Sequence, residues 1–181
     1  MKIGLCRTMS VGKTTIVNAL KDKSNGLYKC FTERSKALMD EGVPLNQKST
    51  YKGQLRFFSE RAIELMYENM ITDRTSIDVL SFSMVSDDIE QYEKAILKLI
   101  HQSLVKEYDL IIYVPIKEEI PMKDNNVRET DLTYRKLIDD TIVNYFEKYK
   151  GRKHILQTVG VENRVEEIIN LIKEVENDNN S

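Results

Sequence analysis

Short apolar runs alternate along this chain with longer stretches whose apolar residues recur every three or four positions, the sequence form of parallel strands covered by helices. The runs at residues 2–6, 27–32, 70–73, 109–115 and 153–158 predict five strands. Helical spacing predicts helices near 14–22, 33–41, 51–68, 76–84, 88–106, 131–149 and 162–176. In the last, Val165, Ile168, Ile169 and Ile172 form one stripe, and Glu162, Glu166 and Glu167 lie near its start, where the helix dipole favours negative charge. Residues 42–50, with Gly42 and Pro44, predict a loop between helices. Residues 117–130, charged and holding Pro121 and the pair Asn125-Asn126, predict a longer loop of a length that usually carries function. Residues 177–181 read as a polar tail, which leaves residues 1–176 as a single domain.

Composition narrows the partners. The chain has 181 residues, 41% apolar and 31% charged, enough for one globular domain with a real core. Its net charge of −2 supplies no bulk attraction to nucleic acid or an anionic membrane. No apolar run approaches the roughly 18 residues of a membrane span, and the N-terminus shows no signal-peptide core, so a cytoplasmic protein is expected. Frequent lysine and asparagine hint at an AT-rich genome such as a phage's. Cys6 and Cys30 fall in strand-like runs and read as free core thiols, while His101 and His154 lack any spacing partner for a metal and read as surface or packing residues.

The sharpest chemical signal follows the first strand. Cys6-Arg7-Thr8-Met9-Ser10-Val11-Gly12-Lys13-Thr14-Thr15 nearly spells the phosphate-binding pattern G-x-x-x-x-G-K-[ST], matching at Gly12, Lys13 and Thr14 and departing at Arg7, where glycine would stand. A strand leading into a helix leaves backbone N–H groups unpaired at the positive end of the dipole, where phosphate oxygens can be held. Gly12 lets the backbone approach, Lys13 reaches the β- and γ-phosphates, and the Thr14 hydroxyl can ligate Mg²⁺. Arg7, Thr8, Ser10, Val11 and Thr15 complete the candidate nucleotide-binding loop. Lysine at a helix start is unfavourable unless an anion joins it, which weighs against an ordinary strand–turn–helix.

In an open parallel sheet, ligands bind beyond the carboxyl ends of the strands. Those ends carry charge here: Arg7, then Glu33-Arg34, Asp73-Arg74 and Lys117-Glu118-Glu119. Asp73 could hold Mg²⁺ or accept a proton from an attacking hydroxyl, and Arg74 could grip an anionic acceptor. The competing structural reading makes Asp73 or Thr75 the cap of the next helix, with Asp78 in its first turn. Arg128-Glu129-Thr130-Asp131-Leu132-Thr133-Tyr134-Arg135 follows the long loop. Thr130 or Asp131 can cap a helix there, and Arg128 with Arg135 suits a lid, roughly residues 117–135, that closes over phosphates. An Asp131–Arg135 pair on a solvated helix is the alternative.

These three segments together resemble small P-loop kinases: Ser10 to Thr15, then Thr72-Asp73-Arg74-Thr75-Ser76-Ile77-Asp78-Val79-Leu80, then Val127 to Asp131 with Tyr134-Arg135. The nearest group is the AAA-like ATPase and kinase family that includes the ribosylnicotinamide kinase domain of the bacterial NAD regulator and many phage proteins. More distant is a similarity to thymidylate and deoxynucleoside kinases, which carry an Asp-Arg or Glu-Arg pair at the matching strand end. The resemblance implies an α/β P-loop NTPase three-layer sandwich, with a five-stranded parallel sheet, helices on both faces and a helical lid. It implies Mg-ATP at Lys13 and Thr14 and an acceptor near Glu33, Arg34, Asp73 and Arg74. Asp73 would be the base for a nucleoside hydroxyl, whereas Arg74 or Arg34 would hold a monophosphate. Gln54, beside Arg56, could read a base edge, although a surface glutamine is the plainer reading. The expected activity is an ATP-dependent phosphotransferase acting on a nucleoside or (deoxy)nucleoside monophosphate, with Lys13, Asp73, Arg74, Arg128 and Arg135 as its catalytic set and Thr14 with Asp73 at the metal. The rivals are an ATPase or switch acting on a macromolecular partner, which Arg7 favours, and a phage-type kinase of a modified base in DNA, which the net charge argues against. The oligomeric state stays open, a homodimer included.

Overall fold

The computed structural model of the chain describes residues 1–7, 13–32, 34–115 and 131–179, without the side chains of Lys13 and Asn179. Thr8, Ser10, Val11, Gly12, Glu33, Arg128 and the loop 117–130 lie outside the described residues.

Five strands, β1 (Lys2–Cys6), β2 (Lys29–Phe31), β3 (Met70–Thr72), β4 (Leu110–Tyr113) and β5 (Lys153–Ile155), form one sheet in the order β2-β3-β1-β4-β5. Every pairing is parallel, and β1 lies in the middle, with Ile3 opposite both Ile71 and Leu110. The helices are α1 (Lys13–Lys23), α2 (Ser35–Asp40), α3 (Tyr51–Glu64), α4 (Ser76–Val85), α5 (Gln91–Leu104), α6 (Leu132–Lys148) and α7 (Val161–Asn179). All of the predicted strands and helices are present; most are shorter at their ends, whereas α1 and α4 are slightly longer and α7 runs on to Asn179, into the segment expected as a polar tail. Residues 157 and 158 leave the ladder of the last strand because their amides donate to the Glu167 carboxylate instead of to β4. The helix expected from residue 88 starts at Gln91, since Glu90 and Glu93 close a capping box there. Residues 46–48, inside the expected loop 42–50, make one 3₁₀ turn.

Alternation along the strands decides which helices cover which face. Ile3 and Leu5 of β1, Ile71 of β3, and Leu110 and Ile112 of β4 pack with Ile16, Val17 and Leu20 of α1 and Val165 and Ile168 of α7. Cys6, Met70, Ile111 and Tyr113 point the other way, onto Ile77 and Phe82 of α4 and Ile138, Ile142 and Phe146 of α6. A third cluster joins Leu38 of α2, Phe57 and Phe58 of α3, Val79 and Leu80 of α4 and Leu97 of α5. Strands covered on both faces read as nearly continuous apolar runs, which is why their positions are visible in the sequence. Cys6 is buried and Cys30 half-buried, and both are free thiols. No helix among the described residues is long and apolar enough to cross a membrane.

Gly4 sits at the centre of β1, where the start of α4 comes closest to the sheet. A Cβ there would collide with the Thr75 methyl group and lie 2.9 Å from Cε1 of Tyr108. The absent side chain is what lets the cap of α4 rest on the middle strand. Gly4→Ala is expected to cost about 1–3 kcal/mol through overpacking, read as a lower midpoint of urea unfolding at unchanged slope; an unchanged midpoint would show that the contact yields freely.

Candidate active site

The site is built where the carboxyl ends of β1 and β3 meet the starts of α1 and α4. Thr75, not Asp73, caps α4: its hydroxyl accepts from the Ile77 amide at 3.1 Å. Asp78 completes the capping box, accepting at 2.8 Å from both the backbone N–H and the hydroxyl of Thr75. Its other oxygen accepts from the Arg7 amide at 2.8 Å, so one buried carboxylate joins the end of β1 to the start of α4. The helix cap is therefore supplied without Asp73, which is 1% exposed and turned toward α1. There the Thr14 hydroxyl donates to Asp73 Oδ2 at 2.8 Å. Two residues fifty-nine positions apart, each proposed from sequence as a metal ligand, are thus in direct contact.

Behind Asp73 lies a face of α3 that is buried and charged. Gln54, Glu60, Arg61 and Glu64 are all under 9% exposed. Thr72, the last residue of β3, donates to Glu64 Oε2 at 2.9 Å, and Arg61 donates to the other oxygen of the same carboxylate. Burial raises the Glu64 pKa, with nearby Asp73 adding to the effect, while Arg61 and Thr72 pull it down. Arg74 is 7% exposed, and its guanidinium lies over the rings of Phe82 at 5.1 Å and Phe57 at 5.6 Å. Arg34, predicted at the acceptor, is exposed and reaches Glu60 at 3.8 Å, a distance it shares with Arg56. Gln54 corrects the plain surface reading: it is 3% exposed, and its amide oxygen has no hydrogen-bond partner among the described residues. A buried acceptor without a donor costs about 1–3 kcal/mol, which marks a place where something else can donate.

Arg7, the departure from the glycine pattern, is 1% exposed. Burial first, and then Arg164, lower its pKa to about 9, against Asp139 and Tyr113, which raise it; the guanidinium therefore stays charged at neutral pH. Arg135 contributes to the same field, and burial lowers its pKa too, with Asp139 opposing. The Tyr113 hydroxyl donates to Asp139 Oδ2 at 2.9 Å. Arg7, Arg135 and Arg164 thus converge where the ends of β1 and β4 meet α6 and α7. Of the predicted lid residues, Asp131 caps α6 by accepting from the Thr133 and Tyr134 amides at 2.8 and 3.2 Å. Thr15 is exposed in the first turn of α1.

Sequence reasoning missed Glu60, Arg61 and Glu64, and also Asp139 and Arg164. Glu64 and Arg61 fall at helical spacing from Phe57, on a stripe that should be apolar. Arg164 offered the same signal as Lys13, a cation in the first turn of a helix.

Comparison with known proteins places these elements. The order β2-β3-β1-β4-β5 with helices on both faces is the P-loop NTPase kinase fold. The family described as an AAA domain matches residues 5–164, and the chain belongs to it. Among solved structures, the chain resembles a deoxyadenosine kinase from M. mycoides with products dCMP and dCDP bound, with a TM-score of 0.70 at 18% identity, over 96% of this chain and 100% of that one. It also resembles the NadR protein in complex with NAD and AMP-PNP, with a TM-score of 0.68 at 15% identity, over 96% of this chain and 48% of that one. The YorR protein from Bacillus subtilis, in complex with phosphorylated GDP, aligns over 98% of both chains at 13% identity with a TM-score of 0.63. No curated protein sequence matches the chain.

The loop after β5 borders this arginine cluster and is fastened by one carboxylate. Glu167 accepts from the Thr158 hydroxyl and amide, from the Gln157 amide at 2.9 Å and from His154 at 2.8 Å. Burial alone would raise its pKa, but these bonds outweigh it and hold the group at about 2. A depressed carboxylate contributes stability that is full above its unfolded pKa, near 4.5, and is lost as pH falls toward 2. The melting-temperature gap between wild type and Glu167→Gln should therefore be constant from pH 7 to 5 and narrow below it. A gap independent of pH would contradict this.

Proposed function

We propose that the protein is an ATP-dependent phosphotransferase whose acceptor is a nucleoside or a (deoxy)nucleoside monophosphate. The observation that carries the reading is the 2.8 Å contact between the Thr14 hydroxyl and Asp73 at the start of the phosphate-loop helix. A hydroxyl and a carboxylate are hard oxygen donors, and so small a protein ligand set suits Mg²⁺, which keeps waters and takes its remaining ligands from substrate phosphates. When bound there, Mg²⁺ would neutralise charge on the β- and γ-phosphate oxygens.

The chain's own residues divide the remaining work. The amide ends of α1 and Lys13 hold the phosphates, and Arg7, Arg135 and Arg128 supply further positive charge as γ-phosphate charge shifts toward the leaving oxygen. The acceptor oxygen attacks the γ-phosphorus while the bond to the β,γ-bridging oxygen breaks, giving ADP. With a nucleoside hydroxyl as acceptor the proton passes to Asp73; a monophosphate needs no base and is held by Arg74 or Arg34, with Glu33 beside them. Gln54, buried and with an acceptor oxygen to satisfy, sits one turn before Phe57 and suits the amino edge of a planar base. The kinases among the similar folds support this reading, and their low identity leaves the acceptor to be found by experiment.

An ATPase acting on a macromolecular partner is the second reading, favoured by the arginine at the first position of the loop. Incubation with Mg-ATP and a panel of nucleosides and monophosphates separates the two. For at least one acceptor, ADP release above background is expected, with Asp73→Asn about 10²–10⁴-fold slower and Lys13→Ala slower still. If no acceptor raises ADP release and Lys13→Ala behaves as wild type, the kinase reading fails; release only with a protein partner selects the ATPase.

A further inference from the structure

On the opposite edge of the sheet from Thr14 and Asp73, beneath the amino ends of β4 and β5, lies an open cavity of about 710 Å³. The end of α5, the end of α6 and the turn before β5 enclose it. Its size falls within the roughly 300–1,000 Å³ of small-molecule sites. We propose that this cavity is a second ligand site, for a small anion built on a planar aromatic ring, the chemical class of a nucleoside phosphate.

The charge is one-sided. Lys98, Lys106, Lys148 and Lys150 line the cavity, and among the described residues no aspartate or glutamate does, in a chain whose net charge is −2. Four cations around a concavity are worth most to a ligand that brings several negative charges and can be partly desolvated. The walls between the lysines are aromatic: Tyr145 and Tyr149 stand on α6 and just after it, with Tyr108 before β4. Lys148 already lies over the Tyr145 ring at 5.9 Å, so cation and ring face are presented together. The Tyr149 hydroxyl donates to the Tyr108 carbonyl at 2.8 Å, which fixes that wall. Gly151 makes room for it, since any Cβ there would strike the Tyr149 hydroxyl.

A buried polar group also faces the cavity. His101 lines it and is 8% exposed. Its Nδ1 is held by the Ser76 hydroxyl at 3.1 Å, and its ring meets Tyr145 edge-on at 5.9 Å between centroids. No protein hydrogen bond reaches Nε2 among the described residues. A nitrogen with one fixed partner and one open position is suited to a heterocycle edge or a phosphate oxygen. Ser76 is the first residue of α4, directly after Thr75, so His101 links an occupant of this cavity to that helix through one hydrogen bond.

The test uses the whole chain with the first site disabled. Equilibrium dialysis with labelled ATP, GTP, CTP and TTP in turn, on Lys13→Ala, should leave one molecule bound per chain for at least one of them. Adding Lys106→Ala and Lys150→Ala, both exposed side chains, should weaken that binding at least tenfold. Inorganic tripolyphosphate should displace the nucleotide only at tenfold or greater excess. The proposal is overturned if Lys13→Ala binds none of the four, if the lysine substitutions leave binding unchanged, or if tripolyphosphate competes equally, which would reduce the cavity to a patch of charge. Because Lys13 is already replaced, the result does not depend on the chemistry performed at the phosphate loop.

Discussion

The carboxylate of Asp78 is the contact on which the candidate active site depends. It is fully buried, and its two oxygens accept from the Arg7 amide and from both donors of Thr75. A buried carboxylate is tolerated only when its lone pairs are satisfied, and here three donors satisfy it. The result is mechanical as well as electrostatic: the chain leaving β1 and the first turn of α4 are held in one frame. Gly4 permits that frame by letting Thr75 lie against the middle strand. With the helix start capped in this way, Asp73 is released from structural duty and can meet Thr14.

The second constraint is the charged inner face of α3. Burying Glu60, Arg61 and Glu64 costs more than burying apolar residues of the same size, and paired buried charges rarely repay the full penalty. The arrangement makes sense if it positions rather than stabilises. Glu64 and Arg61 lock Thr72 at the end of β3, one residue before Asp73. Arg74 is then directed between Phe57 and Phe82, where ring faces replace part of its lost hydration. Rigid support of this kind holds Asp73 and Arg74 in fixed relation, which is what phosphoryl transfer would ask of them in the proposed roles.

The fold was legible because strands buried on both faces leave continuous apolar runs, and the amphipathic helices between them leave a period the eye can count. The residues 2–6, 70–73 and 109–115 needed no partner to be recognised. What was not legible was long-range pairing. The contact of Thr14 with Asp73 could be suspected from the phosphate motif, but the assignment of the α4 cap to Thr75 depends on a third dimension. Gln54 shows the limit most clearly: a polar residue on a helix reads as solvated until packing buries it. Glu64 and Arg61 failed for the opposite reason, since a charged pair within one helix looks like an ordinary surface pair. Arg164 was overlooked although the rule used for Lys13 applied to it equally.

Arg7 changes meaning once its surroundings are known. A glycine at the first position of such a loop serves a tight turn, and an arginine there would first be judged by what its Cβ does to the backbone. Its backbone N–H, however, is the group that binds Asp78, and any residue except proline could supply that. The side chain is a separate matter. It is buried beside two more arginines, with Asp139 and Tyr113 opposing the mutual repulsion. Arg164 and Arg135 lower the preference of Arg7 for charge, while Asp139 opposes this for Arg7 and Arg135, and Glu167 favours the charged form of Arg164. A triphosphate held as proposed would bring negative charge to this cluster, so the departure from the glycine pattern is compatible with a phosphate site.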